Sequence, residues 1–209
     1  IEKVAKEKAA IWRTGVPMLI RDPGSAKVRN AMREEAISAR FYNPEKSTFM
    51  DEAADLAEML CRMIGYSFVR RPISWPARMQ LIKGEQNYLL EAAHNPSGMA
   101  RAIPEIAAIL PKKWSLLLGT SPQQNMDGFL SPILELIRKY PPVEIITTEP
   151  QNGRYPGVEE PLTGATHIEN PSVAIESFEE ETELIVVTGS LYLCGNILSY
   201  LGINVDILS

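Results

Sequence analysis

The chain has 209 residues, of which 45% are hydrophobic and 22% charged, and its net charge at pH 7 is −5. This length allows one large domain or two small ones, and the hydrophobic fraction is enough for a packed core. The acidic balance argues against nonspecific nucleic-acid binding, and the lack of an apolar run of about 18 residues argues against a membrane span.

The first part of the chain is predicted to be mostly helical. Its predicted elements are a helix over residues 2–13, a strand over 16–20, and helices over 27–39 and 51–64. Gly15 is expected to end the first helix and Gly65 the last, because glycine commonly closes a helix. The segment from Pro72 to Pro76 reads as a linker, so we expect a domain boundary after residue 72.

From Arg78 onward, predicted strands and helices alternate. The predicted order is strands at 79–82 and 86–90, helix 97–110, strand 114–118, helix 128–139, strand 143–147, helix 172–178, strand 184–188, helix 191–201 and a terminal strand at 204–208. Repeated β–α units indicate an α/β fold of Rossmann-like class, a mostly parallel sheet with helices on both faces. The loop 149–164 is long for such a fold and is either a site loop or simply flexible.

Polar side chains gather where the second of these strands ends. Glu91, His94 and Asn95 follow the apolar pair Leu89-Leu90 and precede a helix. In open α/β sheets, ligands bind in the crevice at the carboxyl ends of the strands. With Arg78 from the preceding turn, a cation for phosphate and a carboxylate for ribose hydroxyls would converge, which suits a nucleotide.

Two helix starts carry a second, weaker signal. Ser190 opens a helix after a strand, where free N–H groups and the helix dipole could hold an anion, although a serine cap in a tight turn explains it equally well. Asn95 is expected to shape the turn before Pro96 at the helix start.

Arg154 and His167, in and after the long loop, are interpreted as structural or surface residues.

Three stretches of the chain resemble one known family. Trp75-Pro76-Ala77-Arg78 followed by Ala93-His94-Asn95-Pro96 resembles the C-terminal domain of folylpolyglutamate synthase/dihydrofolate synthase, in the Mur ligase superfamily. Ala5-Lys6-Glu7-Lys8-Ala9-Ala10-Ile11 resembles the family's "REKAGI" segment, and Val187-Thr188-Gly189-Ser190 its final strand-to-helix turn. The resemblance implies that residues 1–72 are the C-terminal remnant of a central ATPase domain and that 73–209 are the C-terminal Rossmann-like domain.

The resemblance also implies roles for single residues. Lys8 matches a lysine that is carbamylated and then holds a second Mg²⁺, whereas by itself it reads as part of a solvated helix face. Glu91 stands where the family has an aspartate on the ribose hydroxyls; a buried capping carboxylate is the alternative. The residues predicted to contact ATP are Arg78, Glu91, His94, Asn95 and Ser190, and those predicted to act in catalysis are His94 and Lys8.

The implied function is an ATP-dependent ligase that adds L-glutamate to folate or dihydropteroate through an acyl phosphate, with ATP and Mg²⁺ as cofactors. A monomer in the cytoplasm is expected. The family's phosphate-binding loop, G-x-x-G-K-[ST], occurs nowhere in the sequence, although its lysine and hydroxyl neutralise phosphates and hold Mg²⁺. The alternative is therefore a noncatalytic nucleotide-binding or interaction module derived from the same fold.

We predict that the 209-residue chain by itself neither releases ADP from ATP nor extends folates, because it carries no phosphate-binding loop. The measurement is ADP release by the purified chain in the presence of a folate and L-glutamate, against a blank without protein. ADP release that requires both ATP and glutamate would contradict this prediction.

Overall fold

The computed structural model describes residues 1–46, 48–71, 73–179 and 181–204. The chain divides into two compact units, Ile1–Pro72 and Ile73–Ser209. Within the described ranges, no helix combines the length and the apolar character needed to cross a membrane.

The first unit combines helices with a short parallel sheet. Its elements are α1 (Glu2–Ala9), β1 (Leu19–Arg21), α2 (Ala26–Glu35), β2 (Arg40–Tyr42) and α3 (Phe49–Met63). β1 and β2 pair in parallel, with Leu19 opposite Arg40. Side-chain oxygens of Ser25 and Thr48 cap α2 and α3 by accepting from backbone N–H groups in the first turn.

Several details of this unit differ from the sequence-based prediction: β1 spans Leu19–Arg21 rather than residues 16–20, and α2 ends at Glu35 rather than at residue 39. The first helix ends at Ala9 rather than at residue 13. Its end is stabilised by the Arg13 guanidinium, which donates to the carbonyls of Ala10, Ile11 and Trp12 at 3.0–3.2 Å. Strand β2 was not predicted at all, because its residues stand just before the turn signal Asn43-Pro44 and read as part of a loop.

The second unit is built on one six-stranded sheet. Its elements are β3 (Gln80–Ile82), β4 (Tyr88–Glu91), α4 (Pro96–Ala107), β5 (Trp114–Leu118), α5 (Met126–Lys139), β6 (Ile145–Thr147), β7 (Thr166–His167), α6 (Pro171–Glu176), β8 (Leu184–Thr188) and α7 (Leu191–Tyr200). The strand order is β3-β4-β8-β5-β6-β7. Only β3 and β4 pair antiparallel; the other neighbours are parallel, so the predicted mostly parallel sheet is confirmed.

Helices cover both faces of this sheet. On one face, Met99 of α4 and Phe129 of α5 pack with Leu89, Leu116 and other inward residues of the strands. On the other face, α6 and α7 pack against the alternate strand positions, such as Leu90 and Leu117. Every residue of β5 and β8 is buried, which explains why both strands read as continuous apolar runs.

The connections of this unit differ from the prediction in one short strand. The short strand β7 was not predicted, and the predicted terminal strand at 204–208 lies almost entirely outside the described residues. The long loop 149–164 is hydrogen-bonded to α7 and to the segment that follows β5. The N–H of Gln151 donates to Oδ1 of Asn196 at 2.9 Å, the N–H of Val158 donates to the carbonyl of Thr120 at 2.9 Å, and Leu162 is buried.

Strand β8 turns sharply into α7 at Gly189. Its φ of +105° lies in a region that L side chains rarely adopt, and a Cβ there would lie 2.6 Å from the carbonyl oxygen of Gly119. Both the backbone angle and the close approach therefore require glycine.

We predict that Gly189→Ala lowers the free energy of unfolding by about 1–3 kcal/mol, through backbone strain and the clash with Gly119. The matched control is Gly195→Ala, inside α7, where an added Cβ would have no neighbour within 4 Å. That control should be neutral or stabilising by up to about 1 kcal/mol. Urea unfolding of both variants measures the difference, and equal midpoints would contradict the prediction.

Candidate functional site

The carboxyl ends of three parallel strands meet at one edge of the sheet. β8 lies between β4 and β5, so the segments that follow these strands, 92–95, 119–125 and 189–190, are neighbours. The helix after β8 lies on the face opposite to the helices after β4 and β5. Such a reversal opens a crevice between the loops, which is where ligands bind in folds of this kind.

Glu91 is the buried acid at the end of β4. It is 5% exposed, and its two oxygens accept from different donors, Nη1 of Arg78 at 3.0 Å and the N–H of Met79 at 2.9 Å. Burial raises the pKa of the Glu91 carboxyl, while the hydrogen bond from Met79 and the charge of Arg78 oppose that shift. The contacts match the capping alternative; contact with ribose stays a prediction.

Arg78 lies in the turn that leads into β3. Its side chain is 36% exposed, and Glu91 is its side-chain partner among the described residues. A guanidinium carries five N–H donors, and the hydrogen bond to Glu91 uses only Nη1, so donors remain for a further partner. Arg78 is therefore oriented by an internal anion and can still bind an external one.

His94 is exposed at the sheet edge predicted for it. Its Nδ1 lies 2.9 Å from the carbonyl oxygen of Ala92. Because a carbonyl can only accept, Nδ1 must carry the proton, and the neutral ring then presents an unprotonated Nε2. This arrangement prepares Nε2 to accept a proton or a hydrogen bond.

Gln123 ties the loop after β5 to the loop after β4. Its Nε2 donates to the backbone carbonyl of His94 at 3.0 Å. Sequence reasoning missed this residue, although its position just after a central strand places it at the same edge as His94. The link fixes the backbone that carries His94.

Asn95 and Ser190 both act as helix caps. Oδ1 of Asn95 accepts from the N–H of Gly98 at 2.8 Å and from the hydroxyl of Ser97 at 2.9 Å. The Ser190 side chain accepts from the N–H of Tyr192 at 3.1 Å. These contacts agree with the structural alternatives for both residues, and their predicted contact with ATP stays a prediction.

Lys8 belongs to the first unit, where it is exposed in the last turn of α1. Over the part of the chain that the structure describes, no group of three or more His, Cys, Asp or Glu side chains could hold a metal ion. Mg²⁺ is often held by one or two carboxylates together with substrate phosphates. A carbamylated Lys8 would fit as one such ligand, since carbamylation replaces a cation with an oxygen donor.

The two remaining polar residues have local partners. The guanidinium of Arg154 lies 5.8 Å from the centroid of the Tyr155 ring. Nδ1 of His167 lies 3.0 Å from the Thr147 hydroxyl, and its Nε2 lies 3.7 Å from Glu149. Both arrangements fit the surface and structural interpretation.

The sheet order, the helices on both faces and the crevice at the strand ends define a Rossmann-like α/β domain. No protein-family model matches the chain, and no curated protein matches it by sequence. Folylpolyglutamate synthase of Thermotoga maritima matches in structure with a TM-score of 0.69 and 22% identity, over 98% of this chain and 59% of that one. E. coli FolC, in complex with DHPP and ADP, matches with a TM-score of 0.76 and 14% identity, over 96% of this chain and 56% of that one.

A third structure is the bifunctional folylpolyglutamate synthase/dihydrofolate synthase of Yersinia pestis, complexed with AMPPNP and Mn ion. It matches with a TM-score of 0.69 and 17% identity, over 96% of this chain and 57% of that one. At these identities the likeness establishes the fold alone. The predicted resemblance to folylpolyglutamate synthase is confirmed as a resemblance of fold. The chain spans 56–59% of the length of the three structures.

We predict that neutral His94 is protonated on Nδ1, because its partner there is a carbonyl oxygen. Two-bond ¹H–¹⁵N correlation spectra at a pH above about 8, well beyond the ordinary histidine pKa, measure the tautomer. His94→Gln assigns the signals, with His167 as the internal reference. A ring protonated on Nε2 would contradict the observed hydrogen bond.

Proposed function

We propose that this chain forms the C-terminal part of an ATP-dependent ligase that joins L-glutamate to folate or dihydropteroate. The observation that carries this proposal is that Arg78, through its ion pair with Glu91, and the exposed His94 both lie at the carboxyl end of β4, in a fold shared with solved folylpolyglutamate synthases. Those solved structures are described with ADP, AMPPNP and Mn, which supports a nucleotide and a divalent cation as ligands here.

The phosphate chain of ATP would bind beside Arg78. Its guanidinium is oriented by Glu91 and keeps free donors, so it can make charge-assisted hydrogen bonds to phosphate oxygens. Backbone N–H groups at the starts of α4 and α7, next to Asn95 and Ser190, add positive potential at the same edge. Together they would neutralise charge that moves onto the leaving ADP.

The reaction would proceed in two steps. A carboxylate oxygen of the acceptor attacks the γ-phosphorus of ATP, ADP leaves, and an acyl phosphate forms. The amine of glutamate then attacks the acyl carbon, phosphate leaves, and an amide results. The unprotonated Nε2 of His94 accepts the proton that the amine must lose, while the protein supplies orientation and charge stabilisation.

Mg²⁺ would be bound with Lys8 as one ligand, if that lysine is carbamylated. A divalent cation neutralises phosphate charge when it is bound in such sites. Residues 1–72, which carry Lys8, would then be the end of a central ATPase domain whose phosphate-binding loop lies outside this sequence.

We predict that His94→Ala in the intact gene product lowers turnover by about 10²-fold, the usual loss when a general base is removed. The melting temperature should hardly change, because His94 is exposed. His167→Ala is the matched control: it removes the only other histidine and should leave turnover intact.

ADP release coupled to glutamate incorporation measures both variants. Wild-type turnover in His94→Ala would remove His94 from the catalytic role. An intact gene product that binds ATP but never incorporates glutamate would instead support the noncatalytic nucleotide-binding module.

A further inference from the structure

The turn that carries Arg78 is strained. Ala77 has a φ of +54° and Met79 a φ of +45°, a left-handed conformation that residues with a side chain seldom adopt. Ala77 is also buried, at 2% exposure. Such conformations persist only where the surrounding structure over-determines them, and they concentrate at functional sites.

Hydrogen bonds from β3 and from the end of β4 hold this turn. The N–H of Ala77 donates to Oε1 of Gln80 at 2.8 Å, and the carbonyl of Ala77 accepts from the N–H of Ala92 at 2.8 Å. The carboxylate of Glu91 then accepts from the Met79 backbone at 2.9 Å and from the Arg78 side chain at 3.0 Å. One buried carboxylate therefore fixes both the backbone and the guanidinium of the turn.

We propose that Glu91 is a positioning residue, which holds the strained turn so that Arg78 faces a phosphate group of the nucleotide, and that Glu91 does not contact ribose. This role rests on the proposed function. Carboxylate oxygens can accept more than one hydrogen bond, but Glu91 is only 5% exposed. It therefore offers almost no surface to a sugar hydroxyl.

The length of the glutamate side chain matters for this role. Its two oxygens reach two different donors, the side chain of Arg78 and the backbone N–H of Met79. An aspartate at position 91 would withdraw the carboxylate by one methylene and lose at least one of these donors. If Glu91 instead contacted ribose, an aspartate, which the resembled family has at this position, would bind the nucleotide as well or better.

Binding of two probes to the intact gene product separates these roles: a nonhydrolysable ATP analogue, and inorganic tripolyphosphate, which has no ribose. We expect Glu91→Gln and Glu91→Asp each to lower the affinity for both probes by the same factor. That factor is about tenfold, the cost of one charge-assisted contact. Glu91→Gln keeps the volume and one acceptor for the Met79 N–H, so the fold is retained. Adding Glu91→Gln to Arg78→Ala should cause no further loss, because the pair acts as a unit.

Asp22→Asn is the matched control. Asp22 holds a turn in the same way, accepting from the N–H of Gly24 and from Nη1 of Arg29, each at 2.8 Å, but it is not among the residues proposed to contact the nucleotide. It should leave the affinity for both probes unchanged, whereas a loss equal to that of Glu91→Gln would mark a merely structural effect and overturn the role.

Two further results would overturn the positioning role. Tripolyphosphate affinity that is unchanged in Glu91→Gln, with ATP analogue affinity reduced, would assign Glu91 to the ribose. Wild-type affinity of Glu91→Asp for both probes would also overturn the positioning role. A wild-type protein that binds neither probe would overturn the proposed function itself, which is a distinguishable outcome.

Discussion

The position of β8 between β4 and β5 is the constraint on which the candidate site depends. These three strands are parallel and end at one edge, so the polar residues that follow them must lie together. Gly189 makes the arrangement possible, because any side chain there would meet the backbone of Gly119. The apolar core on both faces fixes the strands, and the strands in turn fix the loops.

A buried acid then organises the charge at that edge. Taking Glu91 out of water disfavours its ionised form and raises its pKa, and Arg78 with the Met79 N–H compensates in part. Removing one partner of such a pair lowers the free energy of unfolding by more than the intact pair contributes to it, since an unpaired buried charge remains. The Arg78 guanidinium is therefore oriented by the Glu91 carboxylate, and the exposed His94 follows three residues after that acid.

Much of this could be predicted from the sequence where burial leaves a strong pattern. β5 and β8 begin and end at the predicted residues, because strands buried on both faces read as unbroken apolar runs. β2 and β7 were not predicted because both are short and lie beside turn residues, Asn43-Pro44 and Gly164. The position of His94 could be predicted because it directly follows a strand and precedes a helix. The Arg78–Glu91 pairing depends on positive φ at Ala77 and Met79, which nothing in those residue types signals.

The most direct test of this account is a crystal structure of the intact gene product with a nonhydrolysable ATP analogue. The account predicts phosphate oxygens within about 3 Å of the Arg78 guanidinium, a hydrogen-bond distance, with the carboxylate of Glu91 still on Arg78 and Met79. An analogue bound away from the carboxyl ends of β4, β8 and β5, or one whose phosphates do not touch Arg78, would contradict it.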